Sequence, residues 1–285
     1  MGMLSNNKKI LEHAYYHRYA VGGFNAPNLE IAMAIIEAGA KQKSPVIVES
    51  SKSEMHHAGA ELLAAIVRRA AEKYNIPISI HLDHGDSYET VREAIEAGYT
   101  SVHIDGSGLP FEENMNVTKK VVALAHKHGV SVEGEVGKVL TPKFEGEDSN
   151  RSDFFTNPEE AQLFYKETKI DSLAISVGTS HGAYKGETKL DLERISRINH
   201  LLGIPLVLHG GSMCPEKQLR QAIFNGVAKV NINTELRLAF TNSIREHLEK
   251  NPEEHVPYNF LGPAKEEVKK VVDEKLKLFG SCGKA

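Results

Sequence analysis

One unit recurs along this chain: a helical segment, a glycine and then a short strand rich in β-branched residues. A glycine just past a helix accepts the left-handed conformation that ends it, and β-branched residues favour strands. Four copies pair a helix with a strand: Asp86–Ala97 with 101–105, Val117–His128 with 130–135, Leu190–Leu202 with 205–209, and Pro215–Asn225 with 228–233.

Four further segments have strand character: 20–25, 45–50, 77–83 and 172–177. Strands that alternate with helices pair in parallel, and eight such units in about 250 residues match the scale of a TIM barrel. A doubly wound sheet is the alternative, but no GxGxxG opens a helix and no GxxxxGK[ST] loop is present. We therefore predict an α/β fold, a (β/α)8 TIM barrel forming one domain over residues 1–285. Extra C-terminal helices follow, and the apolar face of 264–279 packs on the barrel or forms a subunit contact.

Charge and cysteine content exclude several protein classes. The 285 residues carry 34 basic and 38 acidic side chains, a formal net charge of −4, which argues against a general nucleic-acid or anionic-membrane binder. Two cysteines cannot form a disulfide framework, so a reducing, cytoplasmic setting is expected. No apolar stretch is long enough to cross a bilayer, and the N-terminus lacks a signal-peptide core.

The predicted strand ends are rich in histidines and carboxylates. In a TIM barrel the catalytic residues lie at the carboxyl ends of the strands. Three histidines at such ends, His84, His181 and His209, match a catalytic zinc arrangement with an open position for substrate. The polar residues at these ends are Asp83, His84, Asp105, Glu135, His181, His209, Asn231 and Asn233.

The carboxylates suggest further roles around that metal. Asp83, next to a ligand, could act on a proton, while Asp105 and Glu135 could orient ligands or ligate in their place. His81 is interpreted as structural, because a lone histidine at a strand is more often a hydrogen-bonded structural group. His103 lies two residues before Asp105, so both side chains point to the inside of the predicted barrel, and the role of His103 stays open.

Phosphate-binding features lie at the same face. Glycine-rich segments follow strands six, seven and eight at 181–186, 209–212 and 231–235, where backbone N–H groups and a helix N-terminus can hold an anion. The polar insertion 137–156 is either a lid over the catalytic face or a disordered surface loop. Together these features suit chemistry at the carbonyl of a sugar phosphate: aldol cleavage, isomerisation or epimerisation. A lysine that forms a Schiff base with the substrate carbonyl is the other route. The alternation of side chains along the strand does not decide whether Lys229 points into the barrel, so this route stays open.

Several ordered motifs resemble those of the class II, metal-dependent ketose-bisphosphate aldolases. The likeness runs from about Leu11 to Ala285 and points to the short-chain branch of fructose- and tagatose-bisphosphate aldolases. It rests on Tyr19-Ala-Val-Gly-Gly-Phe-Asn25, His81-Leu-Asp-His84-Gly85, Val132-Glu-Gly-Glu135-Val-Gly137, Gly178-Thr-Ser-His181-Gly182, Leu206-Val-Leu-His209-Gly-Gly-Ser212, Lys229-Val-Asn231-Ile-Asn233-Thr234 and Tyr258-Asn-Phe-Leu-Gly-Pro263.

The resemblance implies a metal centre. His84, His181 and His209 would bind Zn²⁺ or another divalent metal. Asp105 and Glu135 would sit beside it, with Glu135 able to bind it in a second position. A monovalent cation, Na⁺ or K⁺, would lie near the phosphate loops, and the protein would form a homodimer or homotetramer.

The resemblance also implies the remaining site residues. Asp83 would take the C4-hydroxyl proton during cleavage, and a lid glutamate, Glu147, would handle the C3 proton of dihydroxyacetone phosphate. Asn231 would contact the enediolate, and Asn25 and Ser51 would lie near the other half of the sugar. The phosphate would be held by Gly182, Lys185, Gly210, Gly211, Ser212, Asn233 and Thr234.

Three segments depart from the family pattern. Gly108 stands where a histidine is usual, the lid is about four residues longer so that Glu145 rivals Glu147, and Met213-Cys214-Pro215 follow Ser212. The expected reaction is reversible cleavage of fructose or tagatose 1,6-bisphosphate to dihydroxyacetone phosphate and glyceraldehyde 3-phosphate. The alternatives are an aldolase for another ketose phosphate, an epimerase or metal hydrolase, and a sugar-phosphate-binding protein without turnover. The hydrolase is disfavoured because no HxH pair lies on the first strand.

Overall fold

The computed structural model describes residues 3–138, 154–180 and 189–285. The strands are β1 (Met3–Leu4), β2 (Val21–Asn25), β3 (Val46–Ser51), β4 (Pro77–Gly85), β5 (Ser101–Ile104), β6 (Ser131–Val136), β7 (Ser172–Ile175), β8 (Leu206–Leu208) and β9 (Val227–Ile232). The helices are α1 (Asn7–Tyr16), α2 (Leu29–Gln42), α3 (Lys52–Ala58), α4 (Ala60–Lys73), α5 (Tyr88–Ala97), α6 (Phe111–Lys127), α7 (Pro158–Thr168), α8 (Leu192–Leu202), α9 (Glu216–Phe224), α10 (Thr234–Lys250) and α11 (Pro257–Phe279).

The strands β2 to β9 form a closed parallel barrel. Each pairs in parallel with the next in chain order, and β9 pairs with β2 to complete the ring. The predicted (β/α)8 barrel is therefore confirmed, and all eight predicted strands are present. The two-residue β1, which pairs with the start of β4, was not predicted. A strand of two residues carries too little pattern to be recognised.

Glycines end several helices as predicted. Gly98 and Gly203 adopt the left-handed conformation at the ends of α5 and α8, with φ of 97° and 64°. Polar side chains cap the other ends of these two helices: the Ser87 hydroxyl accepts from the backbone N–H of Thr90 at the start of α5, and the Asp191 carboxylate accepts from that of Arg194 at the start of α8. These local signals delimit the helices that cover the barrel.

Apolar side chains pack in two places. A large cluster fills the layer between the outer face of the barrel and the helices. A smaller cluster, which includes Leu11 of α1 and Ile47 of β3, closes the amino end of the barrel. The apolar face predicted for 264–279 belongs to α11, which packs against α2 and α10. None of the helices in the described ranges is long and apolar enough to cross a membrane.

Candidate active site

A pocket of about 150 Å³ opens at the carboxyl ends of the barrel strands. Every residue that lines it was predicted from the sequence as a site residue. Metal-ligand, catalytic and phosphate-binding candidates thus share one cavity, as the strand-end argument requires. The lining consists of Asn25, Ser51, Asp83, His84, His209, Gly210, Ser212, Asn231, Asn233 and Thr234.

A bulge in β4 explains how two adjacent residues both reach this pocket. Neighbours on a regular strand point to opposite faces. The register of β4 against β5 shifts between Leu82 and Gly85, and His84 has a φ of 50°, in the left-handed region. A non-glycine residue in that region costs on the order of 1 kcal/mol. The bulge thereby turns both Asp83 and His84 toward the mouth.

Asp83 is held by two amides. Asn25 Nδ2 donates to its Oδ2 at 3.0 Å and Asn231 Nδ2 donates to its Oδ1 at 3.2 Å. Burial by itself would raise the pKa of Asp83, but His84, His209 and other cationic or donor neighbours outweigh it and hold that pKa well below its usual range. Asp83 is thus an oriented carboxylate at the pocket floor.

Carboxylates fix the orientation of the two predicted metal-binding histidines that the structure describes. His84 Nδ1 donates to Asp105 Oδ2 at 2.7 Å, and His209 Nε2 donates to Glu133 Oε1 at 2.8 Å. Their other nitrogens, His84 Nε2 and His209 Nδ1, lie 3.9 and 3.7 Å from Asp83 Oδ1. A metal-binding imidazole characteristically gives its second nitrogen to a carboxylate in this way.

The buried Glu135 carboxylate adds to the match with a cation site. Its Oε2 has no hydrogen-bond partner among the described residues, and it lies 3.9 Å from His84 Nδ1. Burial and the nearby Asp105 raise the pKa of Glu135. An orphaned, buried carboxylate oxygen beside oriented imidazoles is the donor set that a divalent metal satisfies. The residues present therefore fit such a metal.

Lys229 lies under this centre, inside the barrel. Its Nζ is 2.7 Å from Glu133 Oε2 and 2.8 Å from Glu49 Oε1, and all three side chains are fully buried. Burial would lower the pKa of Lys229, but Glu133 and, at higher pH, Glu49 raise it above its ordinary value. A Schiff base needs a neutral amine, so the question left open by the sequence is decided: Lys229 is a structural ammonium.

Two of the predicted phosphate loops, 209–212 and 231–235, converge beside His84 and His209. Gly210 has a φ of 64°, and a side chain there would approach the Ser180 carbonyl oxygen to 2.4 Å. Ser212 Oγ accepts from the Asn233 backbone N–H at 3.2 Å, immediately before α10 begins at Thr234. Backbone donors at a helix start are suited to an anion.

Comparison with known proteins agrees with this geometry. A family model described as fructose-bisphosphate aldolase class-II matches residues 5–284. Fructose-bisphosphate aldolases of Thermus caldophilus and Geobacillus stearothermophilus are 42% and 43% identical, covering 99% of this chain and 100% and 99% of their own. The chain belongs to the class II fructose-bisphosphate aldolase family. The crystal structure of the YdjI aldolase from Escherichia coli K12 superposes with a TM-score of 0.88 at 33% identity, covering 99% of this chain and 100% of that one.

Class II aldolases are generally metal-dependent, and the His–Asp cluster of this family member is a site that could hold the metal. Five of the predicted functional residues lie outside the described residues. They are Glu145, Glu147, His181, Gly182 and Lys185.

Sequence reasoning missed two carboxylates of this aldolase site. Glu133 orients His209, and its place two residues before Glu135 on the same strand was a signal of its inward direction. Glu54 accepts from Asn25 Nδ2 at 3.0 Å and from Arg237 Nη2 at 2.6 Å. The spacing Ser51-x-x-Glu54, which forms a capping box at the start of α3, could have revealed it.

The structure also places the histidines whose roles were structural or open. His81 is fully buried and its Nδ1 lies 2.8 Å from Ser101 Oγ and 3.2 Å from Asn7 Nδ2. These contacts are those of a hydrogen-bonded structural group. His103 is fully buried among the metal-site residues.

Proposed function

We propose that this chain is a metal-dependent aldolase that reversibly cleaves fructose 1,6-bisphosphate to dihydroxyacetone phosphate and glyceraldehyde 3-phosphate. Family membership supports the reaction class. The observation that carries the proposal is Asp83, an oriented carboxylate whose Oδ1 lies within 4 Å of His84 Nε2 and His209 Nδ1, the nitrogens that do not face the orienting carboxylates. A proton acceptor and a metal site at one point are what retro-aldol cleavage needs. Tagatose 1,6-bisphosphate, which differs at C4, is the second substrate to test.

The pocket suggests how the substrate lies. The dihydroxyacetone-phosphate half would direct its phosphate to the loop at Gly210–Ser212 and to the start of α10. The other half would extend toward Asn25 and Ser51 on the opposite side of Asp83. Ser51 Oγ already donates to Glu54 Oε2 at 3.0 Å, so it would meet a substrate hydroxyl as an acceptor.

Asp83 would perform the central proton transfer. It accepts the C4-hydroxyl proton while the C3–C4 bond breaks, so that C4 becomes the aldehyde and the bonding electrons pass to the dihydroxyacetone-phosphate half. A divalent cation such as Zn²⁺, held by His84 and His209 with His181 as the predicted third ligand, would polarise the C2 carbonyl and offset its developing charge.

Other residues of this chain would support that step. Asn231 touches both Asp83 and His209, so its amide would hold the enediolate half against the base. Asp105 and Glu133 keep the two imidazoles oriented. A C3 proton donor in the lid, Glu147, and a monovalent cation near the phosphate loops remain predictions, as does a homodimer or homotetramer.

A coupled assay for dihydroxyacetone phosphate tests this function. Wild-type protein is offered fructose and tagatose 1,6-bisphosphate separately, with and without a chelator. We expect chelator-sensitive cleavage, and a fall of about 10²–10⁴-fold in turnover for Asp83→Asn with metal content retained.

Asp86→Asn is the matched control. Asp86 lies three residues further along, is exposed and pairs with Lys52 outside the pocket. Its variant should keep wild-type turnover. Cleavage that resists chelation, or equal turnover for the Asp83 and Asp86 variants, would show the proposed chemistry to be wrong.

A further inference from the structure

The loop that continues from the predicted phosphate residues Gly210, Gly211 and Ser212 passes through a left-handed residue, Met213. Its φ is 59°, in a region that residues other than glycine rarely adopt. Met213 also begins one of the segments that depart from the family pattern. A strained backbone of this kind persists only where its surroundings hold it in place.

A carboxylate from the first turn of α10 supplies that support. Glu235 Oε1 accepts the Met213 backbone N–H at 2.6 Å. One residue earlier in the loop, Ser212 Oγ accepts the backbone N–H of Asn233 at 3.2 Å. Two hydrogen bonds thus join the loop to the start of α10, where the proposed function places the substrate phosphate.

The position of this carboxylate is unfavourable for an anion in the pocket. Glu235 directly follows Thr234, and Met213 directly follows Ser212, and both Thr234 and Ser212 line the pocket. The Glu235 charge therefore lies within roughly 10 Å of the pocket wall, about one Debye length at moderate salt. A carboxylate this close repels a bound phosphate unless a cation offsets its charge.

Lys275 of α11 provides that cation. Its Nζ lies 2.7 Å from Glu235 Oε1, the same oxygen that accepts the Met213 N–H. The exposed fractions of the Lys275 and Glu235 side chains are only 12% and 20%, so salt and water screen the pair less than they would at the surface. Through this one side chain, α11 reaches the phosphate loop.

We propose that Lys275 is a positioning residue for the phosphate loop: it holds Glu235 on the Met213 N–H and neutralises that carboxylate beside the bound phosphate. This rests on the proposed function, which places a phosphate at this loop. The loop keeps its strained shape through an anionic acceptor, and the substrate phosphate is not repelled by that anion, because Lys275 stays paired with it.

Three variants change the charge at this point in different directions. Lys275→Met leaves the carboxylate without its cation. Glu235→Gln keeps an acceptor oxygen for the Met213 N–H and leaves the ammonium without its anion. The double variant carries neither charge. Calorimetry of the metal-loaded proteins measures the Kd of dihydroxyacetone phosphate, the phosphate-bearing product of the proposed reaction.

We expect Lys275→Met to weaken binding by about 3–10-fold and Glu235→Gln to strengthen it by a similar factor, while the double variant returns to within about twofold of wild type. Both shifts should shrink as salt is raised from about 0.05 to about 0.5 M, because salt screens the charges. Lys269→Met is the control. Lys269 lies on the same helix and pairs with Glu37 of α2 instead, so its variant should keep the wild-type Kd.

A pair that only supports the shape of the loop would weaken binding in all three variants, and that result would refute the proposal. So would a wild-type Kd in Lys275→Met. Where Lys275→Met does not fold, Glu235→Gln decides alone: binding no tighter than that of wild type would overturn the proposal. A wild type that takes part in the expected pattern and does not cleave fructose 1,6-bisphosphate would overturn the proposed reaction and leave the role of Lys275 intact.

Discussion

A buried carboxyl group beneath the metal ligands should make the stability of this protein depend on pH. Glu49 on β3 is fully buried, and burial raises its pKa to about 8 against the opposing effect of Lys229. Gly23 on the neighbouring strand leaves room for it, since a side chain there would meet the Glu49 carboxylate at 2.4 Å. In the unfolded chain the same group has a pKa of 4.5.

The sign and size of the effect follow from these two values. An acid whose pKa is raised by folding contributes stability that is complete below about pH 4.5 and is lost as the pH rises to about 8. Between pH 6 and pH 8 the loss is about 2 kcal/mol, because a difference of one bound proton is worth about 1.4 kcal/mol per pH unit. For a chain of 285 residues this is about 4 °C in Tm. Glu49→Gln cannot ionise and should lack this loss.

Calorimetry gives the melting temperatures of the metal-free wild type and Glu49→Gln at pH 6 and at pH 8. The effect of Glu49 is the amount by which the fall in Tm from pH 6 to pH 8 is larger in wild type than in the variant. Glu37→Gln is the control: Lys269 and Lys265 outweigh burial and lower the pKa of Glu37, so it stays ionised in both states across this range. That variant should shift both melting temperatures equally. If Glu49→Gln loses as much stability as wild type from pH 6 to pH 8, the reasoning about Glu49 is wrong.

Three other perturbations test the centre and its support. Metal binding at pH 7.5 should release about one proton, and that proton comes from His84. Burial would lower the pKa of His84, but the nearby carboxylates outweigh it and raise that pKa to about 10. Burial lowers the pKa of His209 to about 3, so His209 is already neutral and releases none. Calorimetry in buffers of different ionisation enthalpy counts the protons, and a count near zero contradicts this. Glu54→Gln should lower kcat about 10–100-fold with little change in metal content, since it weakens a charged partner of Asn25; unchanged kinetics would refute that coupling. Lys229→Met should destabilise the fold by about 3–5 kcal/mol, because the buried Glu133 carboxylate loses its cation and the Glu49 carboxyl group loses its polar partner; denaturant titration measures this, and a change under 1 kcal/mol would contradict it.

Much of this fold was predictable because its signals are local. A glycine such as Gly98 ends a helix wherever it stands, and a β-branched run favours a strand without reference to distant residues. Repetition of that unit indicates a parallel barrel, and the barrel in turn places Asp83, His84 and His209 at one face. The ordered motifs were also enough to indicate the aldolase family.

The hydrogen-bonded arrangement of the site depends on residues far apart in the chain. Whether Lys229 is a nucleophile or a structural cation depends on Glu49 and Glu133, which lie on other strands of the barrel. His103 Nδ1 accepts the backbone N–H of His84, which lies in the bulge of β4. The sequence alone determined which side chains meet at the mouth of the barrel. Their pairing and protonation were decided only by the tertiary structure, because burial and neighbours within 3–4 Å set both.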